Sequence, residues 1–111
     1  MKKIALMGIF AVIFFAGCAQ QTPKENLDTF AQCLTDNGAV MYGSVTCSHC
    51  QDQKKMFGES FEKINYVECT QEFARCSTLK GVPTWEFKDG SQLEGFQELS
   101  VLANKTNCTL P

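Results

Sequence analysis

The chain has one histidine and one tryptophan among 111 residues, and no second Cys-x-x-Cys motif beyond Cys47-Ser48-His49-Cys50. A structural zinc site usually draws its four ligands from two well-separated clusters, so that chemistry has little to work with here. Basic runs are also missing. Apart from Lys2 and Lys3, the only adjacent lysines are Lys54 and Lys55, which sit on a helical pattern and read as a solvated face. Nothing therefore points to nucleic acid as a partner. The apolar run from Ile4 to Gly17 is too short to span a bilayer comfortably, which takes ~20 residues. No internal repeat is visible.

The first residues are a charged Met1-Lys2-Lys3 followed by the uncharged stretch ending "VIFFAGCAQ", the pattern of an export signal. Small residues Ala16 and Gly17 lead directly into Cys18. This junction resembles the lipobox of bacterial lipoproteins, which implies a signal peptide at 1–17, lipid attachment at Cys18, a tether at 18–24 and a folded domain at 25–111. Ala19 lacks the character of an aspartate-type inner-membrane retention signal, so the resemblance implies an outer-membrane anchor facing the periplasm. Processing would leave 8 basic against 12 acidic residues, a net charge of about −4. A domain this small has room for one modest core, and exported domains of that size commonly depend on disulfides.

Cysteine parity agrees with this reading. Seven cysteines leave one unpaired, but with Cys18 lipidated the remaining Cys33, Cys47, Cys50, Cys69, Cys76 and Cys108 can form three pairs. With Cys47 and Cys50 as one pair, the other four allow three connectivities. Cys69 and Cys76 have six residues between them and could close a local staple, leaving Cys33 and Cys108 to join the two ends of the domain. The alternatives are a shuttle exchanging Cys69/Cys76 with Cys47/Cys50, a zinc site recruiting Cys69 or Cys76, and an inert domain held by three disulfides.

Periodicity supplies the elements. Thr22-Pro23 with Glu25 has the form of a capping box, and Leu27, Phe30, Ala31 and Leu34 follow at helical spacing up to Asn37-Gly38. Residues 39–43, "AVMYG", suit a buried strand that feeds into Cys47 and a helix stopping at Gly58. Residues 64–69, "INYVEC", read as a second strand, parallel to the first across the helical crossover. A short helix over "QEFARCSTLKG" comes next, then a hairpin formed by "TWEF" and "SQLEGF" around Asp89-Gly90, then a closing helix in "QELSVLANKT". The order is helix, strand, helix, strand, helix, hairpin, helix.

With Cys-x-x-Cys at a strand-to-helix junction and "GVPTW" entering the hairpin, residues 30–105 resemble the thioredoxin fold, an α/β class with a central mixed sheet flanked by helices. The segments "MYGSVTCSHCQDQKKMFG", "YVEC" and "GVPTWEF" are more closely similar to thioredoxin-like domains associated with bacterial vitamin K epoxide reductase homologues. The resemblance implies a thiol-disulfide oxidoreductase without a cofactor. Its partners would be exported cysteine-containing proteins or a membrane redox enzyme, and Val82 and cis-Pro83 would receive an extended substrate peptide. Met41 stands where ordinary thioredoxin has a buried aspartate that assists proton transfer.

The residues themselves assign roles. At a helix N-terminus, unpaired N–H groups and the helix dipole favour thiolate over thiol, so Cys47 is the attacking sulfur. Cys50, one turn later, resolves the mixed disulfide. His49, between them, is expected to favour the Cys47 thiolate further and to tilt the pair toward oxidation, with a reductase or isomerase as the alternative.

Overall fold

In a computed structural model of the chain, residues 26–111 are described; the signal stretch, Cys18, the tether and the Thr22–Glu25 capping box lie outside the described residues. Helix α1 runs Asp28–Asp36 and buries Phe30, Ala31 and Leu34. It starts later than a cap at Thr22 implies. Residues 26 and 27 are not helical, and the Asn26 side chain accepts a hydrogen bond from the Asp28 amide at 2.8 Å.

Strand β1, Val40–Gly43, leads through a four-residue loop into α2, Ser48–Phe57. The chain after Gly58 winds a six-residue 3₁₀ turn, Gly58–Lys63, before β2, Tyr66–Glu68. The expected strand from residue 64 is therefore shorter, because Ile64 closes this turn through its amide to the Phe61 carbonyl at 2.9 Å. Helix α3 is a single turn, Phe73–Cys76, where a longer helix is expected from the pattern. It buries none of its residues, so nothing in the core rewards its extension.

Strands β3, Thr84–Glu86, and β4, Gln92–Glu94, form the hairpin. Its loop is longer than a tight two-residue Asp-Gly turn. Phe87 pairs with Ser91 (N to O, 2.9 Å), and the Gly90 amide returns to the Phe87 carbonyl at 2.8 Å with Gly90 at φ +82°. This is a three-residue connection whose last position needs the left-handed conformation that glycine adopts without cost. Helix α4, Leu99–Thr106, closes the domain, and Cys108 lies two residues beyond it rather than on it.

The sheet order is β2-β1-β3-β4. Strands β1 and β2 are parallel, with Met41 opposite Tyr66 and Gly43 opposite Glu68, while β1–β3 and β3–β4 are antiparallel. Phe57 sits at the centre of the aromatic core, its ring centroid 6.3 Å from Phe30, 6.0 Å from Phe61 and 6.1 Å from Trp85. Cys33 and Cys108 are joined by a disulfide, as are Cys69 and Cys76. Four mixed strands with flanking helices make this a thioredoxin-like α/β fold.

Candidate active site

The fold places Cys47 where strand β1 hands over to helix α2. Residues 44–47 are held by their own polar groups: the Cys47 amide donates to the Ser44 carbonyl at 3.2 Å, and the Ser44 and Thr46 hydroxyls lie 2.8 Å apart. Cys47 is the helix cap, in extended conformation, and its Sγ accepts a hydrogen bond from the Cys50 amide at 3.2 Å. A serine or asparagine oxygen would normally fill this role at a helix N-cap. Here the acceptor is the Cys47 sulfur, so a thiol takes the place of the usual capping oxygen.

Across the site, the Cys47 thiol lies 3.6 Å from the Val82 carbonyl oxygen, and the Val82-Pro83 bond is cis. The Thr84 hydroxyl donates to the Gly81 carbonyl at 2.7 Å and pins that turn against the hairpin. Val82 and Pro83 are thus brought to Cys47 from the other half of the chain.

The two thiols differ in access. Cys47 is half-buried, whereas Cys50 is 0 % exposed. Burial, followed by its hydrogen bond to the Cys47 side chain, pushes the Cys50 thiol up to about 12. Cys47 is therefore reachable from solvent, while Cys50 is enclosed.

His49 is exposed and lines an apolar groove with Asp52, Lys55, Met56 and Phe96. Its ring makes no hydrogen bond to Cys47 in the described structure. Cys33–Cys108 ties the end of α1 to the chain terminus, and Cys69–Cys76 closes a loop beyond β2. Bonded to each other, Cys69 and Cys76 do not supply a fourth ligand beside Cys47, His49 and Cys50. Among the described residues no group of three or more His, Cys, Asp and Glu side chains is arranged to hold a metal.

Two contributors are not apparent from residue type alone. Gln53, fully buried on α2, accepts hydrogen bonds from the Trp85 indole N–H at 3.1 Å and the Gln97 amide at 2.7 Å, and donates to the Gln97 carbonyl at 3.0 Å. It fastens the active-site helix to β3 and to the loop carrying Phe96. Gly43 is the other: a Cβ there would lie 2.9 Å from the Tyr66 ring and 3.3 Å from Cys50 Sγ, so only glycine lets the three groups meet.

A thioredoxin-like sheet presenting a capped, accessible thiol and a buried partner defines a protein built for dithiol chemistry. Over 91 residues the chain is 41% identical to the thiol-disulfide oxidoreductase LTO1 of Arabidopsis thaliana. That match covers 72% of this chain and 24% of the relative, so the chain spans about a quarter of the relative's length. No protein-family model matches the chain. The similarity and the paired thiols support a thiol-disulfide redox function.

Proposed function

We propose that this chain is a thiol-disulfide oxidoreductase of the cell envelope that passes oxidising equivalents to exported proteins through Cys47 and Cys50. The observation that carries the reading is the Cys47 sulfur at the start of α2, with the Cys50 amide 3.2 Å away on one side and the Val82 carbonyl 3.6 Å away on the other.

In this scheme a substrate thiolate attacks Cys47 of the Cys47–Cys50 disulfide. A Cys47–substrate disulfide forms, the intramolecular S–S bond breaks, and Cys50 leaves as a thiolate that takes up a proton. A second substrate thiolate attacks the substrate sulfur of the mixed disulfide, forms the substrate's own disulfide and expels Cys47. Two electrons then rest on the Cys47/Cys50 dithiol. A membrane redox enzyme of the vitamin K epoxide reductase type, linked to quinone, removes them. Val82 offers its backbone to an extended peptide beside Cys47, an edge-strand mode of recognition. His49 contributes to the oxidising tilt, and lipid on Cys18 holds the domain at the membrane, the outer one by the character of Ala19.

The test is the reduction potential of the Cys47/Cys50 couple, measured with insulin reduction and oxidative refolding assays on the same protein. A potential well above thioredoxin's ~−270 mV, with refolding activity lost in Cys47→Ser, is expected. A value near thioredoxin's reassigns the protein as a reductase. Unaltered assays in Cys47→Ser remove the enzymatic reading and leave a disulfide-stapled scaffold.

A further inference from the structure

Burial gives Cys50 a proton problem. To resolve a mixed disulfide, or to leave as a thiolate in the reverse step, its sulfur must exchange a proton although none of the residue is exposed to solvent. In the dithiol form Cys47 is a hydrogen-bond partner for Cys50. Once Cys47 is bonded to substrate sulfur it carries no charge to accept that proton. Met41, on β1 and fully buried, has no titratable group to replace it.

The polar group that shares the Gly43 surface with Cys50 is the Tyr66 hydroxyl. From the Cβ position of Gly43, Tyr66 Oη is 3.1 Å away and Cys50 Sγ 3.3 Å, so the two atoms are no farther apart than those distances together. Tyr66 donates its own proton to Glu68 Oε1 at 2.7 Å, which leaves its oxygen lone pairs free; the Cys50 sulfur reaches them during the reaction and not through a standing hydrogen bond. Glu68 is fixed in turn: its Oε2 accepts from the Thr70 hydroxyl at 2.8 Å and the Thr70 amide at 3.2 Å. Lys54 Nζ stands 4.1 Å over the Tyr66 ring and supplies a counter-charge. The titratable groups bearing on Cys50 are Cys47 at the cap and Lys54 on α2, and Cys50 in turn bears on Tyr66 on β2, which is bonded to Glu68.

We propose that Tyr66 and Glu68 form the proton path of Cys50, running from the buried thiol through the Tyr66 hydroxyl to the Glu68 carboxylate at the surface. During resolution the Cys50 S–H proton passes to the Tyr66 oxygen while the Tyr66 proton passes to Glu68. The freed Cys50 electron pair attacks Cys47 Sγ, the Cys47–substrate S–S bond breaks, and the substrate leaves as a thiolate. Glu68 then gives its proton to water. When Cys50 is the leaving group, the same path runs backward. Hydrogen bonding keeps the partners in the required forms. Burial and the bond to Glu68 hold the Tyr66 phenol above its ordinary value, so it stays protonated; burial opposes ionisation of Glu68, but hydrogen bonds from Tyr66 and Thr70 hold it below the usual carboxylate range.

This inference rests on the oxidoreductase reading, and a single-turnover measurement separates the two. Reduced full-length protein is mixed with an equimolar aromatic disulfide that releases a coloured thiolate. The first release reports attack by Cys47 and the second reports resolution by Cys50. The quantity read is the ratio of the second rate to the first across pH. Tyr66→Phe and Glu68→Gln are expected to lower that ratio about tenfold near neutral pH, a modest share of what positioned acid–base groups supply. The deficit should close as pH rises, because hydroxide then replaces the path. A ratio equal to wild type, or one lowered by the same factor at every pH, overturns the proton path and leaves the oxidoreductase standing. Absence of a second release from the wild type overturns both.

Discussion

Replacing Gln53 with leucine tests whether one buried amide holds the active-site helix to the rest of the domain. The substitution keeps nearly the same volume in a site that is fully buried, so cavity formation contributes little. It deletes the hydrogen bonds to Trp85 and Gln97, with a weak one to the Met56 sulfur at 3.8 Å, and leaves the indole N–H of Trp85, itself 0 % exposed, without an acceptor. A stranded buried donor costs about 1–3 kcal/mol, and each of the two bonds to Gln97, whose backbone can turn to water, about 1 kcal/mol. The expected loss is about 3–5 kcal/mol, a large part of the ~5–15 kcal/mol available to a domain. Urea unfolding followed by far-UV circular dichroism measures it, with the midpoint falling by several molar at a slope of about 1 kcal/mol per molar. Trp85→Phe, by contrast, leaves Gln53 Oε1 bonded to the Gln97 amide, and its cost is that of the space left by the smaller ring. Combining the two should then cost clearly less than their sum, because the stranded donor is gone. A loss below about 0.5 kcal/mol for Gln53→Leu, or strict additivity in the double variant, would refute the reasoning.

Opening Cys33–Cys108 by a paired alanine substitution should cost about 4 kcal/mol from loop-closure entropy over a separation of 75 residues, against about 2.5 kcal/mol for Cys69–Cys76 with its separation of 7. Thermal melts of the two variants should preserve that order. Gly43→Ala should destabilise by about 1–3 kcal/mol, because its methyl must displace the Tyr66 ring or the Cys50 sulfur in a packed site. The same urea assay reads it. The reduced protein should lose stability as pH rises from about 9 toward about 12: over that interval the unfolded chain has released the Cys50 proton and the folded chain still holds it. Reduced Cys50→Ala, titrated in parallel, should lack that component of the loss.

How far the structure is legible in the sequence depends on how locally each feature is specified. Strand β1, helix α2 and strand β2 arise from contiguous apolar and helical patterns, and their parallel pairing from the crossover that joins them. Helix α3 is shorter than its pattern because good helix formers say nothing about whether a core face exists to hold them. The 3₁₀ turn after Gly58 is hidden by the stop signal itself, which marks the end of α2 without indicating how the chain continues. At the site, Cys47, Cys50, Val82 and Pro83 are recognisable from their motifs. Gln53 sits in "CQDQKK", a polar run with no apolar mark of burial, and only the sheet and the incoming 95–97 loop make it an interior anchor. Lys54 belongs to a pair that reads as solvated, yet it stands over the Tyr66 ring. One signal is present in the sequence: the alternation of "INYVEC" places Tyr66 and Glu68 on one face of β2, two residues apart.

The unequal burial of the two sulfurs imposes an order on the chemistry. In the proposed exchange, because Cys50 is enclosed and Cys47 is reachable, the mixed disulfide forms on Cys47 and the inner sulfur is the one released. An external thiol then meets the mixed disulfide from the substrate's side, since the inner position beside Cys47 is already occupied by Cys50. The enclosure also holds the Cys50 proton on: the burial that selects the sulfur pushes its thiol up to about 12. A domain gaining specificity from burial must therefore also let a proton through to the buried atom. Gly43 is where both demands meet, because the missing side chain lets Cys50 pack against β1 and the Tyr66 ring reach the same place. Filling that gap should impair packing and resolution together, whereas changing Tyr66 or Glu68 should impair resolution alone.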